Sequence, residues 1–236
     1  PMFALSQTQA GTPFIKNYKP NDYGASSENW TIAQNKSGVM YFGNAKGILE
    51  YDGANWTLIP TANNSVVRSL SIDSSGIIYV GALGEFGYLA SDEKGILKYH
   101  SLLNLLPDNE KDFADVWKTY ATPEGVYFQT FTKLFRLKNN KIELWKPETS
   151  FHFSYYVNHQ YYINEKGIGL KKMQGSQLHL INGGELFSGQ RIYSMLSYSE
   201  QKILIATRER GLYLMNTIKH ATSITPLNTA VNDQLI

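Results

Sequence analysis

The sequence predicts an all-β fold, a β-propeller of four-stranded antiparallel blades, on three observations. A strand pair followed by a glycine-bearing turn recurs at intervals of roughly forty residues, the repeat length of propeller blades. No segment shows sustained helical periodicity, and strands alternating with helices are absent. Aromatic residues are abundant, with 16 Tyr, 11 Phe and 4 Trp, as pleated and half-buried strands favour.

The first full copy of the repeat reads Gly38-Val-Met-Tyr-Phe-Gly43-Asn-Ala-Lys-Gly47-Ile-Leu-Glu-Tyr51-Asp52-Gly53-Ala-Asn-Trp56. The second is Gly76-Ile-Ile-Tyr-Val-Gly81, continued by Phe86-Gly-Tyr-Leu and Gly95-Ile-Leu-Lys-Tyr99. Weaker copies lie at Gly125-Val-Tyr-Phe-Gln129, Tyr161-Tyr-Ile-Asn164-Glu-Lys-Gly167 and Ile203-Leu-Ile-Ala206 with Gly211-Leu-Tyr-Leu214.

Residues 1–10 run from apolar to small and polar, ending in Thr8-Gln-Ala10 before Gly11. They look like the tail of a secretory signal peptide, and an ordinary N-terminal tail is the alternative. Residues 11–28 form a lead-in whose stretch Pro13-Phe-Ile-Lys-Asn-Tyr18 could act as an outer strand closing the ring. Blades are expected at about 29–59, 67–100, 114–145, 151–181 and 191–225, with another beginning at 231–236. In the first, strand a is Trp30–Gln34, strand b Val39–Phe42, strand c Ile48–Tyr51, and strand d begins at Trp56. Asn35…Gly38 and Asp73…Gly76 put an Asx residue first and a glycine last in the a–b turns, as turn geometry favours. Asp52-Gly53 is a comparable hairpin signal. The strand b anchors are Tyr41, Tyr79, Tyr127, Tyr162 and Leu204, with an insert, Leu102-Leu-Asn-Leu-Leu-Pro107, before the third blade. Five blades are thus readable, with the start of a sixth. That pattern leads us to expect a piece of a larger propeller or an open edge covered by a partner chain, and closure at five blades stays open.

The chain of 236 residues carries 22 basic and 20 acidic residues without runs of one sign. That leaves no electrostatic footprint for nucleic acid or an anionic membrane. The absence of cysteine excludes disulfides, thiolate metal sites and cysteine nucleophiles. No apolar run approaches the roughly 20 residues of a membrane helix, so no membrane insertion by this segment is expected. The five histidines (His100, His152, His159, His179, His220) are scattered, and no metal site or cofactor is expected. His152 and His159 flank one a–b hairpin, where solvent-facing polar residues are the rule. Gly81-Ala-Leu-Gly-Glu-Phe-Gly87 has dinucleotide-fingerprint spacing but opens another strand, which removes the helix N-terminus that motif depends on.

Residues 38–56 resemble the repeat of the two-component regulator propellers, sensor regions of membrane-spanning regulators in Bacteroidetes-type bacteria. The lead-in Asn21-Asp-Tyr23-Gly-Ala-Ser-Ser-Glu-Asn-Trp30-Thr-Ile and the Ile77-Ile-Tyr-Val-Gly81 repeat are similar to the same family. The resemblance is good in the first two blades, fair in the fifth and poor in the third and fourth. The third has Lys133 where a b–c glycine stands in the first. The resemblance implies a periplasmic or extracellular location, membrane anchoring and an output domain outside this segment, and a sensor role often directed at glycans.

In a propeller the b–c turns and d–a connections emerge on one face around the axis. That geometry gathers Asn44, Lys46, Arg68, Glu85, Phe86, Trp117, Lys133, Glu165, Lys166, Arg191, Arg208 and Arg210 as candidate ligand-binding residues. Aromatic faces stack on the apolar faces of sugars, while amides and charges hydrogen-bond hydroxyl or acidic groups. No catalytic residue is assigned. The enzymatic alternative is a secreted glycoside hydrolase or lyase. It would draw on Glu85, Asp115 and Glu165, because glycosidases place carboxylates about 5–10 Å apart. The expected function is an extracytoplasmic ligand-sensing region of a signal-transduction and transcription regulator, recognising a carbohydrate-like ligand or a partner. A protein-interaction scaffold is the further alternative. Expected partners are a glycan or other small molecule, and further domains of the same regulator or a second chain over the open edge.

Overall fold

Strand pairing in this protein is local, each sheet being built from four strands consecutive in the chain. The computed structural model describes residues 11, 15–218 and 221–227. Blade 1 comprises β1 (Asn29–Gln34), β2 (Met40–Asn44), β3 (Gly47–Tyr51) and β4 (Trp56–Ile59). Blade 2 comprises β5 (Val67–Ile72), β6 (Ile78–Ala82), β7 (Glu85–Ser91) and β8 (Leu97–Ser101). Blade 3 holds β9 (Lys118–Thr122), β10 (Gly125–Gln129), β11 (Leu134–Lys138) and β12 (Lys141–Trp145). Blade 4 holds β13 (Phe151–Val157), β14 (Gln160–Glu165), β15 (Gly169–Gln174) and β16 (Gln177–Leu180). Blade 5 holds β17 (Ile192–Ser199), β18 (Lys202–Thr207), β19 (Leu212–Ile218) and β20 (Ala221–Pro226). The fold is a β-propeller. Residues 1–10, Pro13, Phe14 and the expected sixth-blade start at 231–236 lie outside the described residues.

The turn residues act as their chemistry suggests. Asn35 Oδ1 accepts the backbone N–H groups of Ser37 and Val39, and Asp73 Oδ1 those of Ser75 and Ile77. Asp92 repeats the pattern with Lys94 and Ile96 in the β7–β8 turn. Asn139-Asn140 and Asn158-His159 take left-handed conformations in two-residue hairpins, a geometry asparagine tolerates well.

The first strands of consecutive blades lie side by side, β1 on β5, β5 on β9, β9 on β13 and β13 on β17. They form the axial lining, and apolar cores fill the spaces between blades. Tyr41, Ile48, Val67, Val80 and Leu89 pack between blades 1 and 2, and Phe86, Val116, Phe128 and Phe135 between blades 2 and 3. Tyr127, Leu134, Tyr161 and Ile163 fill the next interface, and Leu170, Phe187, Ile192, Ile203 and Met215 the last. Polar cross-links accompany them. Ser69 Oγ donates to the Val116 carbonyl at 2.8 Å, and the Tyr120 hydroxyl to the Ser154 carbonyl at 2.8 Å.

Two repeat glycines owe their place to this blade-on-blade contact. A Cβ on Gly43 would stand 2.6 Å from Thr31 and 2.9 Å from Val67, the first residue of the next blade. A Cβ on Gly81 would meet Ser69, Val116 and Thr119 at 2.5–2.7 Å. In blade 5 the position at the same register is Ala206, opposite Ser194.

The insert before blade 3 coils through two short 3-10 turns, Leu103–Leu105 and Asp108–Glu110. It drives Leu102, Leu106 and Phe113 into the Phe86 core. The lead-in behaves differently from the closing strand expected of it. Residues 15–19 form no strand, and Tyr18 packs edge-on against Tyr51 and Trp56, with centroids 5.3 and 5.2 Å away.

Candidate functional site

Four of the five blades deliver large side chains to the axis by the same local device. In β1, β5, β13 and β17 the register with the second strand slips at Trp30, Arg68, His152–Phe153 and Tyr193. A bulge of this kind leaves a residue unpaired and re-aims its side chain. In blade 3 the corresponding place is taken by Trp117, whose N–H bonds to the Gln129 carbonyl, and by Lys118 at the head of β9. A serine or threonine follows in every blade: Thr31, Ser69, Thr119, Ser154 and Ser194.

The delivered side chains form a continuous girdle. The Arg68 guanidinium lies 4.0 Å from the Trp30 ring centroid and 5.0 Å from that of Trp117. Arg68 Nε donates to Asp115 Oδ1 at 2.6 Å, which fixes the guanidinium between the two indoles. Trp117 stacks on Phe131 at 5.5 Å and approaches Phe153 at 6.3 Å. Phe153 continues to His152 at 4.5 Å and Tyr193 at 6.2 Å. Trp30, Phe131 and Tyr193 remain 40–49% exposed, so apolar ring faces stay open to solvent. Ring pairs at such separations attract beyond their area burial, which favours one orientation over a loose cluster.

The girdle is also cationic. The Lys118 ammonium sits 4.9 Å from the Phe153 centroid, and burial pushes its pKa down. His152 is likewise held below its ordinary value, first by burial and then by the Arg191 and Lys118 charges. His152 is therefore half-buried on the axial strand rather than solvent-facing, whereas His159 occupies the tight turn itself. Among the described residues, no three of His, Asp and Glu come together as a metal-ligating group.

The residues expected at this face from sequence divide into three groups. Arg68 and Trp117 belong to the girdle, with Arg191 beside His152. Lys46, Lys166, Arg208 and Arg210 are exposed turn residues. The other five are turned inward. Phe86 is core. Asn44 is fully buried, donating to the Ser26 carbonyl and Asn29 Oδ1 and thereby tying the lead-in to the β2–β3 turn. Glu85 accepts from the Phe86 N–H and Ser101 Oγ, and burial raises its pKa. Lys133 donates to the Glu110 and Asp112 carbonyls and pairs with the Glu110 carboxylate at 3.0 Å, anchoring the insert. Glu165 pairs with Lys171 at 2.7 Å and caps the Glu148 N–H. The four polar ones turn inward because the b–c turns are tight and abut neighbouring segments, so their side chains satisfy backbone polar groups there. Of the three carboxylates weighed for catalysis, Asp115 alone is at the girdle, and Arg68 holds it.

Sequence reasoning placed Trp30 merely at the start of a strand and missed Lys118, His152, Phe153 and Tyr193. Their signal was present, as a large side chain immediately before a Ser or Thr once per repeat: Trp30-Thr31, Arg68-Ser69, Lys118-Thr119, Phe153-Ser154 and Tyr193-Ser194.

No protein-family model matches the chain, and no curated protein matches it. Solved structures do. The WD40 β-propeller domain of Doa1 superposes with a TM-score of 0.62 at 10% identity, over 84% of this chain and 68% of that one. The extracellular domain of a candidate hybrid two-component system from B. thetaiotaomicron gives 0.60 at 12% identity, over 94% of this chain and 30% of that one. A virginiamycin B lyase from Staphylococcus aureus gives 0.57 at 16% identity, over 86% and 71%. Identities this low speak for the propeller architecture alone.

Proposed function

We propose that this chain is the ligand-recognising propeller region of an extracytoplasmic bacterial sensor, and that it takes a saccharide against the axial girdle. The observation that carries the reading is that five successive blades each aim a large aromatic or cationic side chain at one axis, leaving open ring faces. Sugars present C–H faces that stack on such rings, with hydroxyls for the flanking donors. The family resemblance of residues 38–56 supports the sensor role, and the extracellular domain of a two-component system shares the propeller architecture. No helix of the described residues is long and apolar enough to cross a membrane. The same reading makes the region non-catalytic, since Glu85 and Glu165 are committed to bonds inside their own blades. Exposed Leu196 and Tyr198 on β17, and Ile32 on β1, are offered as the surface where another domain of the regulator or a second chain packs.

A glycan array probed with the chain and with Trp117→Ala tests the reading. Saccharide binding that the substitution weakens is expected. Absence of binding to every glycan, or binding that Trp117→Ala leaves unchanged, would overturn it.

A further inference from the structure

We propose that the saccharide bound at the girdle carries an acidic group, a carboxylate or a sulfate ester, and that Lys118 and Arg191 receive it. This rests on the reading that the girdle binds a sugar and adds the charge of that sugar.

Three formal cations, Arg68, Lys118 and Arg191, face one carboxylate there, Asp115, which Arg68 already holds at 2.6 Å. The excess of positive charge falls on the other two. Among the described residues the Lys118 ammonium has no hydrogen bond or ion pair, although the side chain is half-buried against Phe153. An ammonium partly withdrawn from water without a counter-ion is destabilising, and proteins ordinarily pair or expose such a group. Holding one uncompensated at a binding surface favours a ligand that brings the opposite charge. Arg191, at the head of β17, is exposed, and its side chain too has no ion pair among the described residues. It stands two residues before Tyr193, whose ring packs on His152 and Phe153, and its charge acts on His152 as that of Lys118 does. The rings between them suit a pyranose, and the two cations at its rim suit a charged substituent. Charge-assisted hydrogen bonds of this kind are short and roughly twice as strong as neutral ones.

The whole chain would be screened against neutral, uronic-acid-bearing and sulfated oligosaccharides. The strongest acidic binder would then be titrated calorimetrically beside its methyl-esterified or desulfated counterpart. Binding confined to acidic glycans is expected, and the uronate and sulfate sets distinguish which acid is recognised. Lys118→Gln should raise the Kd of the acidic ligand by about ten- to a hundred-fold, the worth of one hydrogen bond to a charged group. The neutral counterpart should bind weakly and be indifferent to that substitution. Arg191→Gln, at an exposed position, provides a second variant that folding cannot confound, and it should weaken the same ligand in the same direction. Neutral glycans binding as tightly as acidic ones, with no response to Lys118→Gln, would overturn this proposal and leave the sugar reading standing. Failure of every glycan to bind would overturn both.

Discussion

Replacing Gly81 by alanine should destabilise the protein by wedging blade 2 away from blade 3. The added methyl would sit 2.5 Å from Ser69 Oγ, 2.6 Å from Val116 Cγ1 and 2.7 Å from Thr119 Oγ1. Val116 is fully buried and Ser69 and Thr119 nearly so, so none can swing out without opening the interface. Overpacking a core by one methyl costs about 1–3 kcal/mol. Ser69 Oγ also donates to the Val116 carbonyl at 2.8 Å, and losing that bond adds about 1 kcal/mol. The sum is about 2–4 kcal/mol, equivalent to a Tm lower by roughly 4–16 °C for a domain of this size. Urea unfolding followed by tryptophan fluorescence would measure it. Gly189→Ala is the control, because a Cβ there meets nothing within 4 Å, and it should change stability by less than about 1 kcal/mol. A loss below about 0.5 kcal/mol in Gly81→Ala, or parity with the control, would refute the close-approach account of the repeat glycines. The substitution should also weaken ligand binding, since Val116 precedes Trp117.

Lys133→Met should lower the urea midpoint much more than Lys146→Met. The first removes a buried ammonium bonded to two carbonyls and Glu110, the second an exposed partner of the same carboxylate. Equal midpoints for the two variants would show that Lys133 does not anchor the insert. Tyr193→Ala removes a ring that is 49% exposed, so calorimetry should show about tenfold weaker saccharide binding while the unfolding midpoint stays within error. A parallel loss of stability would assign Tyr193 to packing instead. His152 titrates below its ordinary value in the fold, so below about pH 6.5 the unfolded chain takes up its proton first. The stability it contributes is therefore complete above about pH 6.5 and is lost as pH falls through the folded pKa, a trend that unfolding midpoints should show and His152→Gln should flatten. Protonation there adds a charge beside Lys118, Phe153 and Tyr193, so binding of an acidic glycan should tighten as pH falls through the folded His152 pKa, which lies below its ordinary value; weakening would count against it.

Much of this architecture was legible because its signals are short-range. Asn35, Asp73 and Asp52 sit in turns that their own side chains close. Each blade pairs only strands next to one another in the chain. Blades 3 and 4 read poorly because they secure the next blade differently at the end of strand b. There Gln129 donates to the His152 carbonyl and Asn164 to the Gln190 carbonyl, so an amide cross-link operates where blades 1 and 2 have glycine contact. The site was less legible. A turn residue such as Lys133 or Glu165 reads the same whether its side chain faces water or a neighbouring backbone. The bulges that aim Phe153 and Tyr193 at the axis depend on strand register, which composition does not record.

The amino-acid sequence by itself determined a repeated four-stranded sheet, the turns that close each one and the face on which the connecting segments emerge, because each requires only contacts within about forty residues. Tertiary structure alone decided which polar residues of that face bind the protein to itself and which stay open. Asn44, Glu85, Lys133 and Glu165 went inward, while Trp30, Lys118, Phe153 and Tyr193 formed the girdle. The reason is that a side chain's partner at the axis belongs to another blade. Only packing blade on blade brings Arg68 between Trp30 and Trp117, or leaves Lys118 without a counter-ion.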